Sequence, residues 1–121
     1  MTPEGKILAD VIAFASKVPG LRLSRNSSGR MNAHGRNYSY GCFSPGGPDL
    51  LGWYRRETEY DRQWGIKRAI FTALEVKVPG KDATPEQAAF LKEVVDAGGI
   101  AGVVHSVEEA AALLGVEVRG G

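Results

Sequence analysis

Asp49, Glu75 and Lys77 have the residue types and the spacing to do chemistry together. Glu75 and Lys77 are two apart in a strand-like segment, so both side chains leave one face, roughly 6.6 Å apart along the chain. Their neighbours Leu74 and Val76 are apolar, which marks a central strand, and a charged pair on a central strand is either a structural ion pair or a site. Asp49 shifts the balance, because it follows the turn Gly46-Gly47-Pro48, where glycine admits close backbone approach at a sheet edge. Taken alone, Asp49 is a turn-former after proline. If its strand runs beside the strand that holds Glu75, the two carboxylates converge on one hard divalent cation, completed by a backbone carbonyl, waters and a phosphate oxygen, with magnesium the expected ion. Such an ion neutralises a scissile phosphate and acidifies a bound water, while Lys77 orients or helps deprotonate that water and stabilises the developing charge.

The net charge of +1 conceals an uneven distribution. From Val11 to Pro48 there is no Asp or Glu, while Lys17, Arg22, Arg25, Arg30 and Arg36 lie there among Asn26, Ser27, Ser28, Asn32 and Asn37. Charge and hydrogen-bond donors of this kind suit phosphate oxygens, although a solvated basic loop without a partner has the same composition.

The elements that must position these residues are legible from caps and periodicity. Thr2-Pro3-Glu4 opens a helix as N-cap, first-position proline and first-turn acid, and Ile7, Leu8, Val11, Ile12, Ala15 and Val18 form its stripe before Pro19-Gly20. Leu21 to Asn37 lacks sustained periodicity and reads as a mostly irregular surface segment, with room for a short strand at Leu21 to Ser24. Tyr38 to Phe43 reads as a strand containing Cys42, followed by a tight turn and a strand from Asp49 to Tyr54. Arg55 to Arg68 is long for a hairpin connection and reads as an arm from the sheet. Ala69 to Val78 alternates cleanly, with Ile70, Thr72, Leu74, Val76 and Val78 on one face. Thr84-Pro85-Glu86-Gln87 opens a helix closed by Gly98-Gly99, Ile100 to Val104 is a buried strand, and Ser106 with Glu109 makes a second capping box for a helix ending at Gly115. The expected order is αβββαβα, an α/β fold with a mixed central sheet flanked by helices.

At 121 residues the chain has room for one domain, and its 43% apolar and 24% charged composition places it among globular proteins rather than disordered ones. Its apolar runs are too short for a membrane helix, and the N-terminus lacks the basic-then-apolar pattern of a signal peptide. Its one cysteine, Cys42, has no partner for a disulfide or zinc site, so a cytoplasmic, reducing location is expected.

These residues resemble the virus-type replication-repair nucleases, the VRR-NUC family within the PD-(D/E)xK superfamily. The resemblance is carried by Thr2-Pro3-Glu4-Gly5-Lys6, Arg25-Asn26-Ser27-Ser28-Gly29, Pro48-Asp49-Leu50 and Glu75-Val76-Lys77-Val78-Pro79-Gly80. It continues through Thr84-Pro85-Glu86-Gln87, Gly98-Gly99-Ile100-Ala101-Gly102-Val103 and Ser106-Val107-Glu108-Glu109-Ala110, and so covers nearly the whole of residues 1–121. It implies a PD-(D/E)xK restriction-endonuclease-like fold, with a metal held by Asp49, Glu75 and the main chain of Val76, and Lys77 as the catalytic lysine. Gln87 matches a family glutamine that completes the site, and is equally a capping-box partner for Thr84. Glu4 matches a first-helix acid that binds water or a second metal, and is equally explained by the helix dipole. Gly47 stands where a serine is familiar, His105 where an arginine is, and Arg55 to Arg68 exceeds the family's short turn.

The leading expectation is a magnesium-dependent DNA endonuclease, with manganese as a substitute, acting on four-way junctions or other branched DNA in replication, recombination or repair. Arg22, Arg25, Asn26, Ser28, Arg30 and Arg36 grip the backbone in this reading. By family analogy it works as a homodimer, of bacterial or phage origin. The alternative is a non-catalytic DNA-binding or partner-recruiting module on the same fold. A restriction-type enzyme is a third, but no base-reading residue is identifiable without groove geometry.

Overall fold

A computed structural model describes residues 1–27 and 29–118. Ser28, one of the expected DNA-binding residues, lies outside the described residues. Helix α1 (Pro3–Ala15) is capped as expected, with Thr2 Oγ1 accepting from the Gly5 N–H at 3.0 Å. Then follow β1 (Leu21–Arg25), β2 (Gly29–Ala33), β3 (Arg36–Tyr40), β4 (Leu50–Tyr54), α2 (Glu59–Trp64), β5 (Ile70–Val76), α3 (Pro85–Asp96), β6 (Ile100–Val104) and α4 (Val107–Leu114).

The architecture is α/β. Four strands form a mixed sheet in the order β1-β4-β5-β6, antiparallel except for the parallel pair β5 and β6. Helices cover both faces. On one, Val11 of α1 and Ala110 of α4 pack with Leu50, Leu74, Val76 and Val104, and on the other, Leu91 and Val94 of α3 pack with Ala73 and Ala101. Strand β5 is therefore buried on both sides from Thr72 to Val76, rather than on the single face that its alternation suggested. Charges near its end are consequently enclosed by the fold.

Several expectations need correction. The element order is αββββαβαβα, because the segment read as irregular contains β1, β2 and the start of β3. The first of these strands pairs with β4 through the whole of Leu21–Arg25, longer than the short strand allowed for. The strand expected at Tyr38 to Phe43 runs instead from Arg36 to Tyr40 and pairs with β2 in a separate two-stranded ribbon, so it is not part of the central sheet. Cys42 accordingly sits in an exposed turn rather than a strand. The arm expected at Arg55 to Arg68 holds helix α2, whose capping box joins Thr58 and Asp61; buried Asp61 also binds the Arg68 guanidinium at 3.0 Å. Glu109 does not close a capping box on Ser106, since its carboxylate turns to the His105 N–H and ring instead.

Candidate active site

Asp49 immediately precedes β4, and the β4–β5 register pairs Leu50 with Leu74, so Asp49 stands opposite Glu75. The antiparallel pairing thus brings together two acids 26 positions apart in the chain. Asp49 Oδ2 accepts from the Val76 N–H at 2.7 Å, which puts the main chain of Val76 at the same place. The approach to Asp49 is fixed by Asn26. Its N–H donates to the Asp49 carbonyl at 2.8 Å, its side-chain Nδ2 to the carbonyls of Cys42 and Pro48 at 2.9 and 3.0 Å, and its Oδ1 accepts from the Cys42 N–H at 2.9 Å. Gly47 belongs to the same closure, because any Cβ there would strike the Cys42 carbonyl. The departure from serine at this position therefore has a steric reason.

Glu75 is only 3% exposed. Its Oε1 accepts from Gln87 Nε2 at 3.0 Å and lies 3.8 Å from Lys77 Nζ, while Oε2 is buried with no hydrogen-bond partner among the described residues. Burial, and next the negative charge of Asp49, push the Glu75 carboxyl up to about 8, against the opposing pull of Lys77. A carboxylate in this setting needs another cation beside Lys77 to be stable as an anion at neutral pH. Two facing carboxylates, a main-chain segment and an orphaned buried oxygen fit a hard divalent ion. No cluster of three His, Cys, Asp or Glu side chains occurs among the described residues, so such an ion would have only two protein carboxylates.

Gln87 caps α3 and also reaches Glu75. Its Oε1 accepts from the Thr84 N–H at 2.8 Å and its own N–H donates to Thr84 Oγ1 at 3.2 Å, a complete capping box. Its Nε2 donates to Glu75 Oε1, so the start of α3 orients a carboxylate on β5. Lys77 continues the parallel ladder, its N–H donating to the Val104 carbonyl at 3.1 Å, with its side chain largely shielded. Beyond it, His105 ties the strand's exit loop to α4, with Nδ1 2.8 Å from Glu109 Oε1 and Nε2 2.9 Å from the Lys81 carbonyl. Both partners accept, so they favour the imidazolium and raise its pKa, Glu109 foremost.

The other site candidates lie elsewhere. Glu4 is exposed in the first turn of α1 and joins no cluster with Asp49 and Glu75. Arg22 and Arg25 are exposed on β1, and Arg30 and Arg36 on the ribbon; none pairs with an acid among the described residues. Asn26, expected among the DNA-contacting residues, has both of its amide hydrogens committed to backbone carbonyls and so positions the turn before Asp49. Its role was missed because the partners lie 16 and 22 positions away, and no local pattern encodes them. A groove of about 1090 Å³ beside α3, lined by Phe43, Phe71, Phe90 and Glu93 among others, lies toward the other end of β5 and includes neither Asp49, Glu75 nor Lys77.

With this geometry in place, comparison with known families is decisive: the VRR-NUC domain matches residues 22–108. The chain belongs to the VRR-NUC family of nucleases. No curated protein and no solved structure gives a significant match.

Proposed function

We propose that this protein is a metal-dependent DNA endonuclease of the PD-(D/E)xK type, hydrolysing phosphodiester bonds in branched DNA. The observation that carries the reading is the buried Oε2 of Glu75, which has no hydrogen-bond partner among the described residues, on a residue that stands opposite Asp49 at the end of a central strand. Asp49, Glu75 and the main chain of Val76 would hold Mg²⁺, or Mn²⁺ in its place. Bound there, the ion would neutralise the scissile phosphate and lower the pKa of a water. Gln87 fixes the Glu75 carboxylate by a hydrogen bond, so the ligand is oriented before DNA arrives. Lys77, beside the same carboxylate, holds a positive charge where negative charge develops on the phosphoryl oxygens and orients the attacking water. Exposed Arg22, Arg25, Arg30 and Arg36 supply the phosphate grip. Selectivity for branched DNA and a homodimeric assembly follow the family analogy.

The test is cleavage of labelled four-way junction, 5′ flap, single-stranded and linear duplex DNA with magnesium, manganese or chelator, comparing wild type with Glu75→Ala. Metal-dependent cutting that the variant lacks is the expected result. Folded protein that cuts none of these substrates would overturn the proposal. One observation favours a second reading, a non-catalytic DNA-binding module: among the described residues the site offers two carboxylates, and one oxygen of Asp49 already accepts a backbone N–H. That module would have no metal-dependent cleavage for Lys77→Ala to remove.

A further inference from the structure

The β2–β3 ribbon is built unlike the rest of the fold. Its register pairs Gly29 with Tyr40, Met31 with Tyr38 and Ala33 with Arg36, which places these six side-chain positions on one face. Arg30, Asn32, Asn37 and Ser39 take the other. The turn between the strands uses His34 and Gly35, both at positive φ (53° and 74°), the two-residue geometry that keeps a tight hairpin twisted. On the first face Met31, Tyr38 and Tyr40 remain 51%, 44% and 47% exposed. A folded chain has no reason of stability to display two tyrosines and a methionine in a row on a ribbon outside its main sheet.

Charge decides what would cover this face. The ribbon carries two arginines and no acid, inside the acid-free stretch from Val11 to Pro48, so an acidic polymer is the complementary partner. The two faces differ in what they can hold. The Arg30 face offers donors for phosphate oxygens, whereas flat tyrosine rings beside an arginine are the surface on which unpaired bases stack, irrespective of sequence. Paired bases in intact duplex expose only their edges, so a stacking face discriminates for unpaired or splayed bases. The ribbon is also anchored to the site. Asn26, just before it, binds Cys42, just after it, and the carbonyl of Asp49.

From these observations we infer that the Met31–Tyr38–Tyr40 face of the ribbon is a stacking arm for unpaired bases of branched DNA, set in register with the Asp49–Glu75 site by Asn26. The inference rests on DNA being the substrate, as proposed above, and it names the part of the substrate that gives structure selectivity.

Its test is binding in chelator, which does not depend on cleavage. Fluorescence anisotropy would compare wild type, Tyr38→Ala and Tyr38→Phe on labelled single-stranded, 5′ flap and fully paired DNA. A second readout places 2-aminopurine in the unpaired segment. Tyr38 is chosen because Tyr40 lies across Gly29 and helps to build the ribbon. Tyr38→Ala should weaken single-strand and flap binding about tenfold, the scale of one lost base–aromatic stack, and leave duplex binding unchanged. Tyr38→Phe should behave as wild type, and 2-aminopurine should be quenched by wild type and not by Tyr38→Ala. Equal losses on paired and unpaired DNA, or no loss on either, would overturn the inference. So would a Tyr38→Ala variant whose only change is in sedimentation of the free protein, since the face would then be a protein–protein surface. Base-selective binding without any cleavage would sink the nuclease reading alone, and metal-dependent cleavage by a protein whose binding and 2-aminopurine quenching are indifferent to Tyr38 would sink the arm alone.

Discussion

Around Glu75 the fold closes in from both strand neighbours and both faces. Strands β4 and β6 flank β5, α1 and α4 cover one face, α3 covers the other, and the carboxylate is 3% exposed. Around Tyr38 there is one neighbouring strand, and all five residues of β3 are exposed. The first region holds charge at a cost in stability that its enclosure makes unavoidable, and so it must be rigid. The second holds charge and aromatic surface in water, where neither costs much. In the proposed function, chemistry and grip thereby fall to parts of the molecule that fail in different ways.

That division has a direct test. Lys77→Ala is expected to lower the cleavage rate on the order of a thousandfold, the scale of losing one group that stabilises transition-state charge, with DNA affinity in chelator unchanged. The double variant Arg30→Ala/Arg36→Ala should do the reverse. Its affinity falls, the dependence of log affinity on log salt becomes shallower by about two, and its rate deficit shrinks as DNA concentration rises. Single-turnover cleavage and anisotropy at several salt concentrations measure both. A Lys77→Ala variant that binds as poorly as it cuts would break the division.

The enclosed carboxyl also sets a pH dependence. With its folded pKa raised from 4.5 to about 8, Glu75 keeps its proton in the folded state while the unfolded chain loses it. The folded protein then binds more protons across that window, so stability falls as pH rises from about 4.5 to about 8 and levels off above it. The expected loss is on the order of a few kcal/mol, and Glu75→Gln should abolish it while also abolishing cleavage. Any slope that remains in the variant belongs to His105. Its raised pKa contributes stability that is fully present below the unfolded value of 6.5 and is lost as pH rises through the folded one. Thermal melts in chelator at pH 5 and pH 8.5 decide this. Magnesium added at the higher pH should restore wild type and leave Glu75→Gln unmoved. A wild type equally stable at both pH values would show that Glu75 is not strained.

The same contrast explains what was legible in the sequence. Strand β5, α3 and the pair Glu75–Lys77 could be read because a buried face imposes a period on residue types, and caps such as Thr84 announce themselves locally. The facing of Asp49 and Glu75 was legible only as a condition on strand pairing, which the β4–β5 register meets. The ribbon escaped because periodicity has no amplitude where neither face is buried: Arg36, Asn37, Tyr38, Ser39 and Tyr40 are all exposed. Its strand was instead displaced toward Cys42 and Phe43, the more apolar residues just beyond it. Asn26 escaped for another reason, since a polar residue that satisfies distant backbone groups looks like any loop asparagine.

Asn26 is where the two regions join, and its loss should separate them. Asn26→Ala leaves the Cys42 N–H and the carbonyls of Cys42 and Pro48 without their partner, at about 2 kcal/mol for the lost hydrogen bonds. Urea denaturation would measure that. The sharper readout is the cleavage position on a 5′ flap. If the ribbon sets register for Asp49, the variant should cut at scattered positions, whereas a purely structural clamp would slow cutting without scattering it.

The smallest expected effect concerns the helix that orients Glu75. Thr84→Ala removes the acceptor for the Gln87 N–H and should cost about 1 kcal/mol, as loss of an N-cap does. It leaves the Gln87 carboxamide bonded to the Thr84 N–H on one side and to Glu75 on the other, so cleavage should fall only slightly. Gln87→Ala removes both of those bonds and should lower cleavage well beyond what its comparable stability loss explains. Comparing the two variants by thermal melts and single-turnover cleavage therefore separates capping from positioning. If their losses in rate match as closely as their losses in stability, Gln87 is a helix cap alone, and the orientation of Glu75 falls to Lys77.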